Sequence, residues 1–290
     1  MELEDEWMNF NDDDIEREIQ QVNITNNNET NEINVPKSSD IYISTKTKIC
    51  YLNKEINLYD IFWKLKLINY YEMHEGIIKK QMKFNSLERD NYEILLKLVE
   101  EEKKKNYVEE TLIQHIDLQS GNKLRFKDIR KVSIGISKKD ILSYRSKPKS
   151  AFYNCFVMLG RINYKNTYKE VHIKIFNTGK VEIPGLQEDS LFEKTKKFIL
   201  DNLKIHDAEI DFIPDKTETV LINSNFSCGY LINRDSLFNK LKNKYKINAS
   251  YDPCSYPGIQ CKYKIIEYDK EYQVSFMIFR TGSVLIVGKC

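Results

Sequence analysis

The chain has no C-x-x-C pair. Its six cysteines, Cys50, Cys155, Cys228, Cys254, Cys261 and Cys290, are scattered, and His74, His115, His172 and His206 stand apart from them. That spacing argues against a zinc site and a disulfide framework and favours a reducing compartment. No apolar run approaches the roughly 18 residues of a membrane span, and the N-terminus lacks the apolar core of a secretory signal. No phosphate loop, cluster of metal ligands or nucleophile–base signature is present. The expectation is therefore a protein that is not an enzyme, with no catalytic residue, no metal or other cofactor, no small-molecule substrate and no membrane partner.

Basic residues are almost missing from the first 36 positions, which hold eleven acidic side chains and only Arg17 as a base. The remainder, 37–290, carries 44 basic and 32 acidic residues, a balance of +12 hidden under the net charge of +2. A cationic body suits a nucleic-acid binder, although an excess of this size also occurs as a solvated surface. Apolar residues make up 41% of the chain, enough for a real core.

What the chain does have is an internal repeat. Residues 174–185 read Lys-Ile-Phe-Asn-Thr-Gly-Lys-Val-Glu-Ile-Pro-Gly, and residues 277–288 read Met-Ile-Phe-Arg-Thr-Gly-Ser-Val-Leu-Ile-Val-Gly. Each phrase predicts a β-hairpin: a strand ending in Phe, a tight turn with Gly, and an alternating strand. Two copies suggest a pseudo-two-fold molecule rather than a solenoid.

Around the hairpins the pattern predicts strands near 41–45, 76–84, 155–162 and 220–227, and another ending at Ile266. Leu58, Ile61, Phe62 and Leu65 fall on one helical face. A second helix, with Tyr92, Ile94, Leu95, Leu98 and Val99, has Glu100–Lys104 and Glu101–Lys105 pairs in its last turns. A third, capped by Asp189 or Ser190, buries Leu191, Phe192, Thr195, Phe198, Ile199 and Leu203. A fourth starts near Asp235 and turns Leu237, Phe238, Leu241 and Tyr245 inward. The stretch 85–150, with a strand pair at 124–137 and Lys147-Pro148-Lys149, breaks the rhythm as an insertion. Residues 1–38 are expected to be disordered, with a short helix possible near 13–21. The domain reading is an acidic tail at 1–38, a first repeat at 39–204 with its insertion at about 85–150, and a second repeat at 205–290 that lacks its last helix.

Alternation along a strand assigns faces. Val181, Ile183, Val284 and Ile286 should meet the helices. Phe176, Glu182, Phe279, Leu285 and Val287 should face the other way, and Met277, Phe279, Leu285 and Val287 should form an exposed apolar stripe, which marks a binding surface. Periodicity alone fits Phe176 and Phe279 equally to a core.

At these residues the chain resembles the TATA-box-binding protein family, whose repeat has an apolar-Ile-Phe, two residues, Gly, and a strand ending in Gly. Tyr251-Asp252-Pro253 followed by Tyr256-Pro257-Gly258 is similar to that family's Tyr-x-Pro and Phe-Pro-Gly, and 223–228 to its strand of Asn, Val, Gly, Ser and Cys. The similarity covers about 215–290 well and 40–84 and 155–204 fairly. It is absent over 1–38 and 85–150. The insertion and the divergent first repeat resemble versions encoded by large double-stranded DNA viruses.

The resemblance implies an α+β fold, a pseudo-two-fold saddle of curved antiparallel sheet with helices on its convex face. It implies a transcription initiation factor that binds AT-rich promoter DNA in the minor groove and bends it, with general transcription factors and RNA polymerase as further partners. The place implied is the nucleus or the cytoplasmic viral factory of an infected cell. By position, Phe279 and Tyr256 match a wedge pair, Asn223 the central asparagine, Asn225, Met277, Leu285 and Val287 the groove lining, and Lys262 a phosphate-facing base. Phe176 matches one first-repeat wedge; the other is Ile77, Phe152 or Phe156. Tyr256 could instead simply shape its turn, and Asn223 and Asn225 could be strand-edge residues.

Lys174, Glu182 and Pro184 depart from the family, with Lys174 the expected partner of Glu182, and Ile41 stands near the place of the other central asparagine. A second reading follows from these departures: a scaffold of the same fold that recruits transcription machinery without binding DNA. The acidic tail is a candidate cover for the cationic or concave surface, in the manner of a DNA mimic.

Overall fold

The structure, a computed structural model, describes residues 36–120, 123–142, 153–267 and 270–288. Expectations for residues 1–35, Phe152, 147–149 and Cys290 lie outside that set. The described residues divide into two units: a larger one at 43–223 and a smaller one that holds 224–287 together with 36–42. The fold is α+β; among the described residues there are twelve strands, antiparallel in every described register, and helices packed over an apolar face. Among the described residues no helix is long and apolar enough to cross a membrane.

In the larger unit the strands are β1 (Tyr42–Leu52), β2 (Gly76–Ser86), β3 (Val108–Ser120), β4 (Lys123–Gly135), β5 (Cys155–Tyr164), β6 (Thr167–Phe176), β7 (Lys180–Leu186) and the start of β8 (Phe212–Ser227). Their order is β3-β4-β2-β5-β6-β7-β1-β8. Helices α1 (Leu58–Lys64), α2 (Arg89–Lys103), α3 (Lys138–Leu142) and α4 (Asp189–Leu203) connect them. One core joins Phe62 of α1, Val99 of α2 and Phe192 and Ile199 of α4 to Val181 and Ile183 of the sheet. The six residues expected on the inner face of α4 are the six it buries. Its capping is different. Asp189 is the first helical residue, and its carboxylate pairs with Lys48 Nζ at 2.8 Å instead of closing the turn.

The segment 85–150 joins the sheet. The segment 124–137, expected as a strand pair, supplies the single strand β4, whose partner is the preceding β3. β4 then pairs with β2 from Lys79↔Gly135 to Ser86↔Asp128, so the hairpin extends the sheet. The ion pairs of α2 are Glu100–Lys103 and Glu101–Lys104, one residue closer than expected.

The smaller unit holds Ser224–Ser227 of β8 and the strands β9 (Asn248–Ser250), β10 (Ile259–Glu267), β11 (Lys270–Ile278) and β12 (Ser283–Gly288), ordered β12-β11-β10-β9. Helix α5 (Arg234–Asn239) runs into a wider turn at Lys240–Lys244. Its core gathers Ile232, Leu241, Ile259, Cys261, Ile278 and Val284, with Leu237, Phe238 and Ile286 against it. Tyr245 is exposed, contrary to expectation. The bond from Tyr245 N to Lys240 O spans five residues, and that wide turn rotates position 245 off the helical face.

The duplication is visible bond by bond. Leu52 N donates to Gly179 O and Cys228 N to Gly282 O, each at 2.8 Å. Ile56 N donates to Asn177 O and Ile232 N to Arg280 O, at 2.9 and 2.8 Å. Asn57 and Asn233 both cap their helices, accepting from Asp60 N and Ser236 N. These pairs set an equivalence of 176 positions before the hairpins and 103 within them. The position equivalent to Asn223 is therefore Thr47, which is buried, and not Ile41, which is exposed ahead of β1.

The two turn glycines are equivalent as well. Gly179 has φ +79° and Gly282 φ +85°. A Cβ on Gly179 would lie 2.6 Å from Lys54 O, and one on Gly282 would crowd Tyr230 O. Gly179→Ala and Gly282→Ala should each cost about 2 kcal/mol or more, read as a lower urea midpoint at constant slope.

Candidate nucleic-acid interface

In the smaller unit the sheet face turned away from α5 presents Met277 and Phe279 from β11 and its turn, and Leu285 and Val287 from β12. None belongs to the helix-side core, so the expected facing holds. The expected exposure does not: these four residues are only 3–7% exposed. Side chains on neighbouring strands stand about 5 Å apart and cover one another. Tyr256 adds to this, its ring 6.0 Å from that of Phe279 and its hydroxyl 3.1 Å from Met277 Sδ. A Cβ on Gly258 would sit 3.0 Å from the Phe279 ring, so glycine there lets the ring approach the backbone.

Tyr256 is held by its turn. Tyr256 N donates to Asp252 O at 2.9 Å, Cys254 N to Asp252 Oδ1 at 3.0 Å, and Ser255 Oγ to Asp252 Oδ2. The Ser255 hydroxyl, with help from the turn's amides, holds the Asp252 carboxyl below the usual range. Arg234 of α5 donates to Pro257 O, tying the turn to the helix. The half-buried Tyr256 is the outer member of the pair, and Phe279 lies behind it. Asn225 is half-buried on β8, and Lys262 is exposed on β10 opposite Ser275.

In the larger unit Phe176 ends β6, half-buried, with Lys180 Nζ 5.2 Å from its ring. Two of the residues considered for its companion wedge fail. Ile77 and Phe156 are both fully buried in the helix-side core, where Phe156 meets Phe62 edge to face at 5.7 Å. The ladder identifies a residue that alternation could not. Phe156 pairs with Ile175, the residue before Phe176, and Ile259 pairs with Ile278, the residue before Phe279. Three positions back from each stand Tyr153 and Tyr256. Tyr153 is 56% exposed, and Lys83 Nζ lies 3.5 Å from its ring centroid. The signal in the sequence is the hairpins' own offset, since the residue 103 positions before Tyr256 is Tyr153.

Lys174 and Glu182 sit opposite each other on β6 and β7, joined at 2.5 Å, as expected for a pair that would otherwise place a carboxylate on this face. They occupy the places of Met277 and Leu285. Asn223 on β8 is buried. Its Nδ2 donates to Thr45 Oγ1 at 2.8 Å, and its Oδ1 is buried without a partner.

No protein-family model and no curated protein matches the chain. Among solved structures the chain is similar to the TBP of Methanococcus jannaschii, at 16% identity over 86% of this chain and 88% of that one, with a TM-score of 0.42.

Proposed function

We propose that the protein is a TATA-box-binding-protein-like transcription factor that binds AT-rich promoter duplex in the minor groove and bends it, and that assembles there with general factors and polymerase. The observation that carries this reading is the repeated register, in which Tyr256, its ring 6.0 Å from that of Phe279, and Tyr153 stand at equivalent positions, as do Phe279 and Phe176. Paired aromatics at ribbon ends suit insertion between base steps. The few kcal/mol of unstacking is offset by the apolar surface and phosphate contacts that a bent duplex gains. The +12 balance of 37–290 supports attraction to the phosphate rails. Asn223, Asn225, Met277, Leu285 and Val287 would line the groove, and Lys262 would face a phosphate.

Gel-shift and bend assays on AT-rich duplexes test this. Tyr256→Ala with Phe279→Ala, and Tyr153→Ala with Phe176→Ala, should each lower affinity by about tenfold or more and reduce the bend. Unchanged affinity and bend in both variants would remove the reading. The scaffold alternative is favoured by one observation, the Lys174–Glu182 ion pair standing where the other ribbon has apolar residues. It predicts no duplex binding at low salt together with co-purification of transcription proteins. Binding with a steep salt slope excludes it.

A further inference from the structure

The larger unit covers its ribbon with α4, whose Leu191, Phe192, Phe198 and Ile199 complete the core. The smaller unit, among its described residues, has no equivalent helix. The helix-side face of its sheet instead holds an open groove of about 330 Å³, almost wholly apolar, lined by Phe226, Leu237, Tyr263, Ile265, Phe276 and Ile286. We infer that this groove is the docking site of the chain's own N-terminal segment, with Ile15, Ile19 and Val22 as its apolar contacts.

Three observations select this occupant. The first is the tether. Ser39 N donates to Ser227 O at 2.8 Å and Ser227 N to Ser39 Oγ at 2.9 Å, while Lys37 O lies beside Gly229. The chain therefore enters the smaller unit alongside Cys228 and Tyr230, both of which line the groove. The 13 residues between Val22 and Pro36 span roughly 20 Å as a flexible linker, so the segment is held close to the groove at high effective concentration.

The second is spacing. Ile15, Ile19 and Val22 stand at i, i+4 and i+7, one face of a helix. The neighbouring Asp12, Asp13, Asp14, Glu16 and Glu18 supply the polar remainder and suit a helix N-terminus. The third is charge. The element that gives Leu237 to the groove continues into Lys240, Lys242, Lys244 and Lys246, all exposed, whereas residues 1–36 carry eleven acids and one base. Apolar contacts seat the segment, and the basic run that follows Leu237 attracts its acidic side chains.

Arg17, the only basic residue in 1–36, makes the test simple, because trypsin can cut that segment only there. In the full chain, docking through Ile15 and Ile19 shields the bond after Arg17. The expected cleavage is about tenfold slower than in Ile265→Glu or Val22→Asp, since cutting follows the population of the undocked state. Ile265 is 41% exposed, so a glutamate there disturbs the groove without entering the core. Added salt should speed cleavage of the native chain, and dilution should not. Equal rates in all three proteins would overturn the inference, as would protection that survives Ile265→Glu. Protection that fades on dilution would assign the groove to a second copy and overturn it equally.

Discussion

Glu182→Leu alone should destabilise the chain by about 2 kcal/mol, the loss of one charged hydrogen bond, and the double change Glu182→Leu with Lys174→Met should recover much of that loss. The two side chains face each other across β6 and β7 at 2.5 Å, with side-chain exposures of 9% for Glu182 and 15% for Lys174. Removing the carboxylate takes away the ion-pair oxygen at 2.5 Å and sets a leucine against a largely buried ammonium, so less of that ammonium's desolvation is offset. Removing both charges takes away the desolvation cost together with the attraction, and large apolar residues of similar volume then fill the space. Met277 and Leu285 show what the ribbon does with that choice, since they hold the same two places in the other copy and are buried. Urea unfolding of the single and double variants checks the coupling. A neutral Glu182→Leu would mean that the pair is held open to solvent and contributes nothing.

The same double variant bears on function. It removes one charge of each sign, so the salt slope of duplex binding should scarcely move. Affinity should rise if the larger unit's ribbon contacts the groove, because an apolar surface replaces a pair that the duplex would have to desolvate. A scaffold that never meets DNA predicts the stability recovery without the affinity gain.

How far the sequence carried the fold depends on the element. The hairpins were legible because one phrase occurs twice, and the inner face of α4 because its six apolar or small positions follow a helical period without interruption. The edge hairpin of β3 and β4 was not. β3 exposes both Leu112 and Ile113, so its apolar residues keep no period of two. Tyr245 was misassigned because the period of 3.6 fails at a five-residue turn. Alternation gave the direction of Met277, Phe279, Leu285 and Val287 but not their burial, which depends on how closely neighbouring side chains and Tyr256 crowd them. Thr47 was missed because the offset between the copies changes along the chain, whereas Tyr153 lies at the hairpins' own offset of 103 from Tyr256. The first copy carries extra chain between its opening strand and its hairpin, so the offset of 176 becomes 103, and a linear match cannot hold both. Only the hydrogen bonds of Leu52, Ile56 and their counterparts show where each offset applies.

Lys80 gives the clearest pH dependence. The residue is 1% exposed inside the larger unit, and its ammonium donates to Phe62 O and Leu65 O at 2.8 Å each and lies 5.0 Å from the Phe62 ring centroid. It thereby satisfies carbonyls at the C-terminal end of α1 that helix geometry leaves open. Burial pushes its pKa down from 10.5 to about 8. Between those values the unfolded chain binds more protons than the folded one, so stability rises with pH. Against it stand three buried thiols. Burial pushes Cys50 and Cys155 up to about 12 and Cys261 to about 11, from 9.0. Above pH 9 the unfolded chain gives up those protons first, and stability falls. From pH 8 to 9 the gain through Lys80 and the loss through the three thiols, about 1 kcal/mol each, nearly cancel in the native chain, and beyond pH 9 stability falls. Lys80→Met keeps the three thiols and removes the amine, so the difference between the two unfolding profiles isolates Lys80. That difference should grow in favour of the native chain by about 3 kcal/mol from pH 8 to 10.5. Parallel profiles would mean that the amine keeps its proton throughout, with the carbonyls of Phe62 and Leu65 holding it charged against burial.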